Sequence, residues 1–274
     1  MKNQNIEFRY IIKNKQTISS FLLKKGYSSP NIYELIKDNN VFVNNQIIID
    51  RNHQLYKNDE VLVVLTESPS SFKTVDKPID IVYEDNYLLV VNKPFDLNIE
   101  PSKTNYEDSL AQRVAYYFKN NEINSKVHLV NRLDRLTSGL VVIAKNKYIH
   151  NLFQKVKIKK SYLALVEGKT NKFGKIVINI EKENNSVKRI VSEDGKRSIT
   201  KYQRLSYDGK NSLLKVKLLT GRTHQIRLSF ASINHPLVGD SLYNDNKKDG
   251  KMHLQAYYLK FKHPITHKYL KLSI

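Results

Sequence analysis

The residues best placed to do chemistry lie in residues 127–145, VHLVNRLDRLTSGLVVIAK. A polar turn there gathers Arg132, Asp134, Arg135, Thr137, Ser138 and Gly139 between apolar flanks. Residues 140–144 are an unbroken β-branched and aliphatic run, the pattern of a strand buried on both faces. A rigid strand that starts directly after a charged turn is a good platform for a catalytic group, and Asp134 is the candidate. Taken alone, an Asp before Thr-Ser-Gly is more often a local hydrogen-bonder or cap, and Arg-Leu-Asp-Arg a solvated charge pair.

Two further clusters carry reactive or ligand-binding types. Residues 220–227, TGRTHQIR, follow an apolar strand at 213–219 and offer Arg222, Arg227, His224 and Gln225. Two fixed cations with a histidine and an amide are dense enough in donors to hold a phosphate or a carboxylate. No second histidine or acid stands at ligand spacing from His224, so no metal is expected. Lys155, Lys157, Lys159 and Lys160 lead into a strand at 161–168 that carries Tyr162. Lysines beside a tyrosine suit a phosphate track next to a base-stacking ring. A core tyrosine ringed by solvated lysines fits the same residues. A hydrolase built on Ser138 and His128 fails, because Ser138 is not on a GxSxG elbow. A paired-carboxylate glycosidase lacks a second acid near Asp134.

These clusters need elements to position them. The main domain is expected over residues 79–274. It opens with IDIVYEDNYLLVVNKP, a hairpin turning at Asp85-Asn86, and a helix follows at 109–118 with Leu110, Val114, Ala115 and Phe118 on one side. A second helix is expected at 148–156. Residues 181–197, polar and with turns at Asn184-Asn185 and Asp194-Gly195, read as a mobile excursion. Strands at 253–264 and at the C-terminus close the domain. Residues 1–68 form a separate small unit. Ile18, Phe21, Leu22 and Leu23, then Ile32, Leu35 and Ile36, fall at helical spacing, and strands follow at 41–43 and 61–65. Residues 69–78 are the linker.

The chain has 274 residues, 40% of them hydrophobic, which is enough to fill a core. Lys+Arg number 46 against 26 acids, a net charge of +20, and the first 68 residues hold only nine of those cations against seven acids. A field of that sign on the larger domain attracts polyanions, of which RNA, DNA and membrane headgroups are the abundant ones, and no basic amphipathic helix argues for a membrane surface. There is no cysteine, no signal-like start and no run of membrane-spanning length, which suits a cytoplasmic protein with no membrane partner. A monomer is the simplest expectation.

Four segments in order, YEDNYLLVVNKP, NRLDRLTSGL, KKSYLALVEG and LLTGRTHQIR, with NHPLVGDSLY and HLQAYYLKFKHP behind them, resemble the RluA-type pseudouridine synthases. RLDxxTSG followed by TGRTHQIR is a specific pair. The small unit resembles the S-four RNA-binding domain. The resemblance implies an RNA uridine isomerase without metal or cofactor, acting on ribosomal large-subunit RNA or transfer RNA. The implied fold is α+β: a mixed, largely antiparallel sheet with flanking helices and a central cleft, plus a small α/β-type N-terminal domain. It also implies that Asp134 is the catalytic carboxylate, Arg227 its partner, and Tyr162 the ring that meets the uracil. Arg132 would fill the gap left by a flipped nucleotide, and Arg135, Asn131, Lys160, Arg222, His224 and Gln225 would contact RNA. Histidines common in the family are replaced by Asn131, Glu100, Ser229 and Gln255, which bears on RNA specificity. The alternative is a catalytically silent RNA-binding or ribosome-assembly factor on the same scaffold.

Overall fold

A computed structural model describes residues 5–68, 73–101, 107–184, 186–245 and 250–274. Part of the expected linker and Asn185 of the expected turn lie outside the described residues.

The N-terminal unit runs β1 (Ile6–Ile11), β2 (Gln16–Thr17), α1 (Ile18–Lys24), α2 (Ser29–Lys37), β3 (Val41–Val43), β4 (Gln46–Ile47), β5 (Gln54–Leu55) and β6 (Glu60–Leu65). Each helix starts where a hydroxyl can take an orphan amide: Thr17 accepts from Ser20 N and Ser28 from Asn31 N. The helices bury Ile18, Phe21, Leu22, Ile32, Leu35 and Ile36, whose spacing suggested them, while Leu23 of the same set is exposed. The four-stranded sheet has the order β1-β6-β3-β4. Strand β1 carried no expectation, although Ile6, Phe8 and Tyr10 alternate with Glu7 and Arg9 as a half-buried strand requires.

The rest forms one large sheet. In chain order it comprises β7 (Asp80–Glu84), β8 (Leu88–Lys93), α3 (Leu110–Asn120), β9 (His128–Leu129), β10 (Ser138–Ala144), α4 (Lys147–Phe153), β11 (Lys159–Glu167), β12 (Phe173–Lys182), β13 (Arg189–Val191), β14 (Lys196–Tyr207), β15 (Asn211–Leu218), α5 (Gln225–Ala231), β16 (Leu254–Lys262) and β17 (Tyr269–Ser273). The strand order is β13-β12-β14-β15-β11-β16-β10-β8-β7, with β17 on β16 and β9 on β10. The fold is α+β, and the pairing is antiparallel except between β10 and β16. That parallel contact explains the glycine of Thr-Ser-Gly. Gly139 has φ +117°, and a Cβ there would lie 2.4 Å from the carbonyl oxygen of Ala256.

The excursion expected at 181–197 is a correction. It is a hairpin on the sheet edge, with Ile180, Glu181 and Lys182 of β12 paired to Val191, Ile190 and Arg189 of β13. Only the end of β12 falls in that stretch, and β13 is three residues long, too short for an alternation to be read in sequence. The helix expected at 148–156 spans the shorter Lys147–Phe153.

Two cores result. One lies between the catalytic sheet and α5, around Tyr162, Val216, Tyr202, Ile226 and Phe230. The other is shared: Ile12, Leu22, Tyr27 and Val63 of the small unit pack with Val90, Val142, Tyr148, Phe153 and Phe261 of the large one. Tyr27 stacks on Tyr148 at 3.9 Å between centroids, and the Tyr148 hydroxyl donates to Lys25 O at 2.9 Å. Glu67 pins the crossover, accepting from Lys147 N at 2.6 Å and Lys126 N at 3.1 Å.

Candidate active site

Asp134 projects from the turn between β9 and β10, its side chain 32% exposed. The turn is closed by Thr137 N donating to Asp134 O at 3.0 Å. It is held from below by Lys93, which ends β8 fully buried. The ammonium donates to Pro94 O at 2.9 Å, Leu97 O at 2.8 Å and Arg135 O at 2.9 Å. Burial pulls it down to about 7, while the charges of Asp134 and Asp96 oppose that fall and Arg135 adds to it. Three carbonyls take three protons, which only the ammonium form supplies. Lys93 is thus a buried cation under the Asp134 turn, and sequence reading missed it. Its signal was a lysine ending the apolar run LLVVN. Lys93→Met should cost about 3 kcal/mol, by orphaning the three carbonyls, and disorder the turn. Thermal unfolding checks this; a melting point within 2 °C of wild type, on the order of 1 kcal/mol or less, would sink the assignment.

Arg227 departs from its expected pairing. Its guanidinium binds Asp240 through Nε at 2.8 Å and Nη2 at 2.6 Å, and both side chains are buried. Burial alone would lower the guanidinium; Asp240, with the more distant charge of Asp134, holds it above its ordinary value. The direct partner of Arg227 is therefore Asp240, and Asp134 feels the cation through space. The physical reason is satisfaction: a guanidinium with little access to water needs a carboxylate in its plane. Asp240 Oδ1 also accepts from Leu242 N and Tyr243 N, which sets the turn bearing Tyr243.

His224 begins α5 in the left-handed region at φ 56°. Its Nδ1 is 2.9 Å from the Tyr243 hydroxyl, which accepts from Arg189 N at 2.7 Å. Nε2 is 4.0 Å from Asp134 Oδ2. Burial keeps His224 below its ordinary pKa; Asp134 and Asp240 oppose this, and Arg227 and Arg189 reinforce it. Tyr162 is 6% exposed, and burial, then the charge of Asp134, raises its hydroxyl to about 12. Of the two readings of Tyr162, the side chain belongs to the core and faces the site from it.

The remaining expected residues divide. Arg132, Arg135 and Arg222 are exposed. Arg135 pairs with Asp96 at 2.8 Å, and Arg132 lies 3.9 Å from Glu100. Lys160 is half-buried, and desolvation lowers its pKa. Asn131 and Gln225 are corrections. Asn131 is 5% exposed and spends its amide on Leu140 O and Val142 N. Gln225 is 2% exposed, donates to Ile199 O and Thr200 Oγ1, and accepts from Thr220 Oγ1 and Arg222 N. Both are buried and spend their side-chain amides on the protein itself, Gln225 on side-chain hydroxyls as well as backbone. Ser229 is likewise internal, 3.0 Å from Thr200 Oγ1. The Ser138–His128 pairing is excluded by the fold: His128 is opposite Ala144, six residues along β10 from Ser138, roughly 20 Å away. Among the described residues no group of three His, Asp or Glu side chains could hold a metal ion.

Residues 87–232 match the RNA pseudouridylate synthase family. An uncharacterized RNA pseudouridine synthase of Bacillus subtilis, YhcT, is 34% identical over 249 residues, covering 87% of this chain and 82% of that one. A ribosomal large subunit pseudouridine synthase D of Buchnera aphidicola is 33% identical, covering 89% and 85%. Among solved structures, human RNA pseudouridylate synthase domain containing 1 superposes with a TM-score of 0.60 at 27% identity, covering 76% of this chain and 85% of its own. With the family matched over more than half of the chain and relatives at 33–34% identity covered over most of their length, the chain is an RluA-family RNA pseudouridine synthase, an isomerase that acts on RNA.

Proposed function

We propose that the substrate is ribosomal large-subunit RNA and that Asp134 is the catalytic carboxylate. The observation that carries the second part is the set of cations and donors gathered around Asp134. Arg227 and Lys93 act through space, and His224 Nε2 faces it at 4.0 Å. In the isomerisation the bond from uracil N1 to ribose C1′ breaks, the base turns over, and C5 bonds to C1′ while the C5 proton is lost and N1 gains one. The carboxylate starts this by adding to C1′ or by taking the adjacent ribose proton, and both routes need it charged. Tyr162, kept protonated by burial, supplies a ring and a neutral hydroxyl beside the base.

The uridine must leave its stack to reach Asp134, which costs a few kcal/mol. Arg132, 76% exposed at its side chain and two residues before Asp134, can fill the gap, and Arg135 and Arg222 can meet the flanking phosphates. Glu100 faces the same route and weakens it only through a solvent-screened contact. Large-subunit RNA is favoured over transfer RNA because the Buchnera relative, matched over most of both chains, is named for the ribosomal large subunit.

A pseudouridine map of total RNA from cells with the gene, without it, and with Asp134→Asn tests both parts. Sites in large-subunit RNA should vanish in the second and third arms. Sites lost from transfer RNA instead would replace the substrate assignment. No lost site while the protein is expressed would favour a silent RNA-binding factor.

A further inference from the structure

The register of the large sheet places lysines directly opposite lysines. Lys175 of β12 pairs with Lys201 of β14, which pairs with Lys217 of β15. Lys217 faces Ser161 of β11, and two residues before Ser161 is Lys159, opposite Lys260 of β16, itself opposite Lys271 of β17. Opposed residues in antiparallel strands share a face, so these six side chains form a belt across six neighbouring strands. At about 4.8 Å per strand the belt is about 24 Å long. It follows the outside of the sheet: Ile176, Tyr202, Val216 and Tyr162, which alternate with Lys175, Lys201, Lys217 and Ser161, point into the core that carries α5 and the Asp134 site.

Four like-charge pairs in register oppose folding, since directly opposed charges of one sign destabilise a sheet. The belt contains no acid, and among the described residues none of its six lysines forms a salt bridge. Five are exposed and Lys260 is half-exposed, lying over the ring of Tyr269 at 5.0 Å from its centroid. Stability therefore does not account for the arrangement; a polyanion on that face would. Lysines act as point charges that bind phosphate without reading sequence. We propose that this belt, on the face away from the Asp134 site, is a second RNA-binding surface that holds the phosphate backbone of a part of the substrate RNA distant from the target uridine. This rests on RNA being the substrate. It assigns to the sheet's outer face an anchoring role separate from uridine recognition.

The test uses the full chain with the triple substitution Lys175→Gln, Lys201→Gln, Lys217→Gln, and its counterpart with arginine at the three positions. All three positions are solvent-facing, so folding should survive, and circular dichroism checks that. Fluorescence anisotropy with a 20-base-pair RNA hairpin between 50 and 200 mM KCl reads the slope of log affinity against log salt. The glutamine triple should bind more weakly at 50 mM and flatten the slope by about 3, roughly 0.9 for each of three lost phosphate contacts. The arginine triple should restore both. Single-turnover pseudouridine formation in total RNA from cells lacking the gene, at saturating enzyme, should keep its wild-type rate. An unchanged slope in the glutamine triple overturns the proposal. So does a loss of binding to phosphatidylserine vesicles with RNA binding intact, which would give the face to a membrane. Failure of the underlying reading is seen separately, as wild-type enzyme that forms no pseudouridine.

Discussion

Asp134→Asn is expected to abolish pseudouridine formation while leaving RNA affinity within a few-fold of wild type. The substitution keeps the shape of the side chain and removes its charge. Without that charge it can neither add to C1′ nor take a ribose proton, so the rate should fall by at least about 10⁴-fold. The turn should persist, because its closing bond runs from Thr137 N to the backbone oxygen of residue 134, and Lys93 grips the next carbonyl. Affinity should hold or rise slightly, since a negative charge is lost beside a polyanion. Single-turnover conversion, followed with an anisotropy titration on the same RNA, separates the two quantities. A variant that still converts uridine would end the assignment of Asp134.

The second large effect belongs to Asp240. Removing its carboxylate leaves Arg227 charged, 4% exposed and without a partner, and also strips two turn amides of their acceptor. Asp240→Ala should cost about 3–5 kcal/mol, the usual result of breaking a buried pair from one side. For a chain of this size that is about 10 °C in melting temperature. Replacing both partners, Arg227→Met with Asp240→Leu, should recover much of the loss, because two apolar side chains need no compensation. The double variant should still be inactive if the Arg227 charge serves Asp134. Recovery of stability together with activity would make the pair purely structural. A melting temperature unmoved by Asp240→Ala would show that the guanidinium finds water.

Much of the site was legible because motif and geometry coincide. Asp134 precedes β10, Tyr162 is on β11 and Arg227 is on α5, so three separate signatures end around one place. What sequence could not supply was the direction in which polar groups point. Asn131 and Gln225 look the same in sequence whether they face RNA or satisfy buried groups, and the structure commits both to the protein itself. Arg227 and Asp240 are thirteen positions apart in different motifs, with nothing in their spacing to mark them as a pair. The β12–β13 hairpin was missed because β13 has only three residues, too few to show an alternation. It nonetheless reaches the site, through Arg189 N and Tyr243.

The shared core between the small unit and the catalytic sheet has a consequence for how the chain is made. Ile12, Leu22 and Tyr27 leave the ribosome early, while their core companion Phe261 is made more than two hundred residues later. Domains generally fold as units in order of synthesis. Here the first unit reaches its final packing only after the last long strand, β16, has been added, and until then the apolar face around Tyr27 stays open to water. Biogenesis of this enzyme is therefore expected to end in a late docking step, and a nascent chain stalled before β16 should bind chaperones or be cut by protease within its first 65 residues, where the released protein resists.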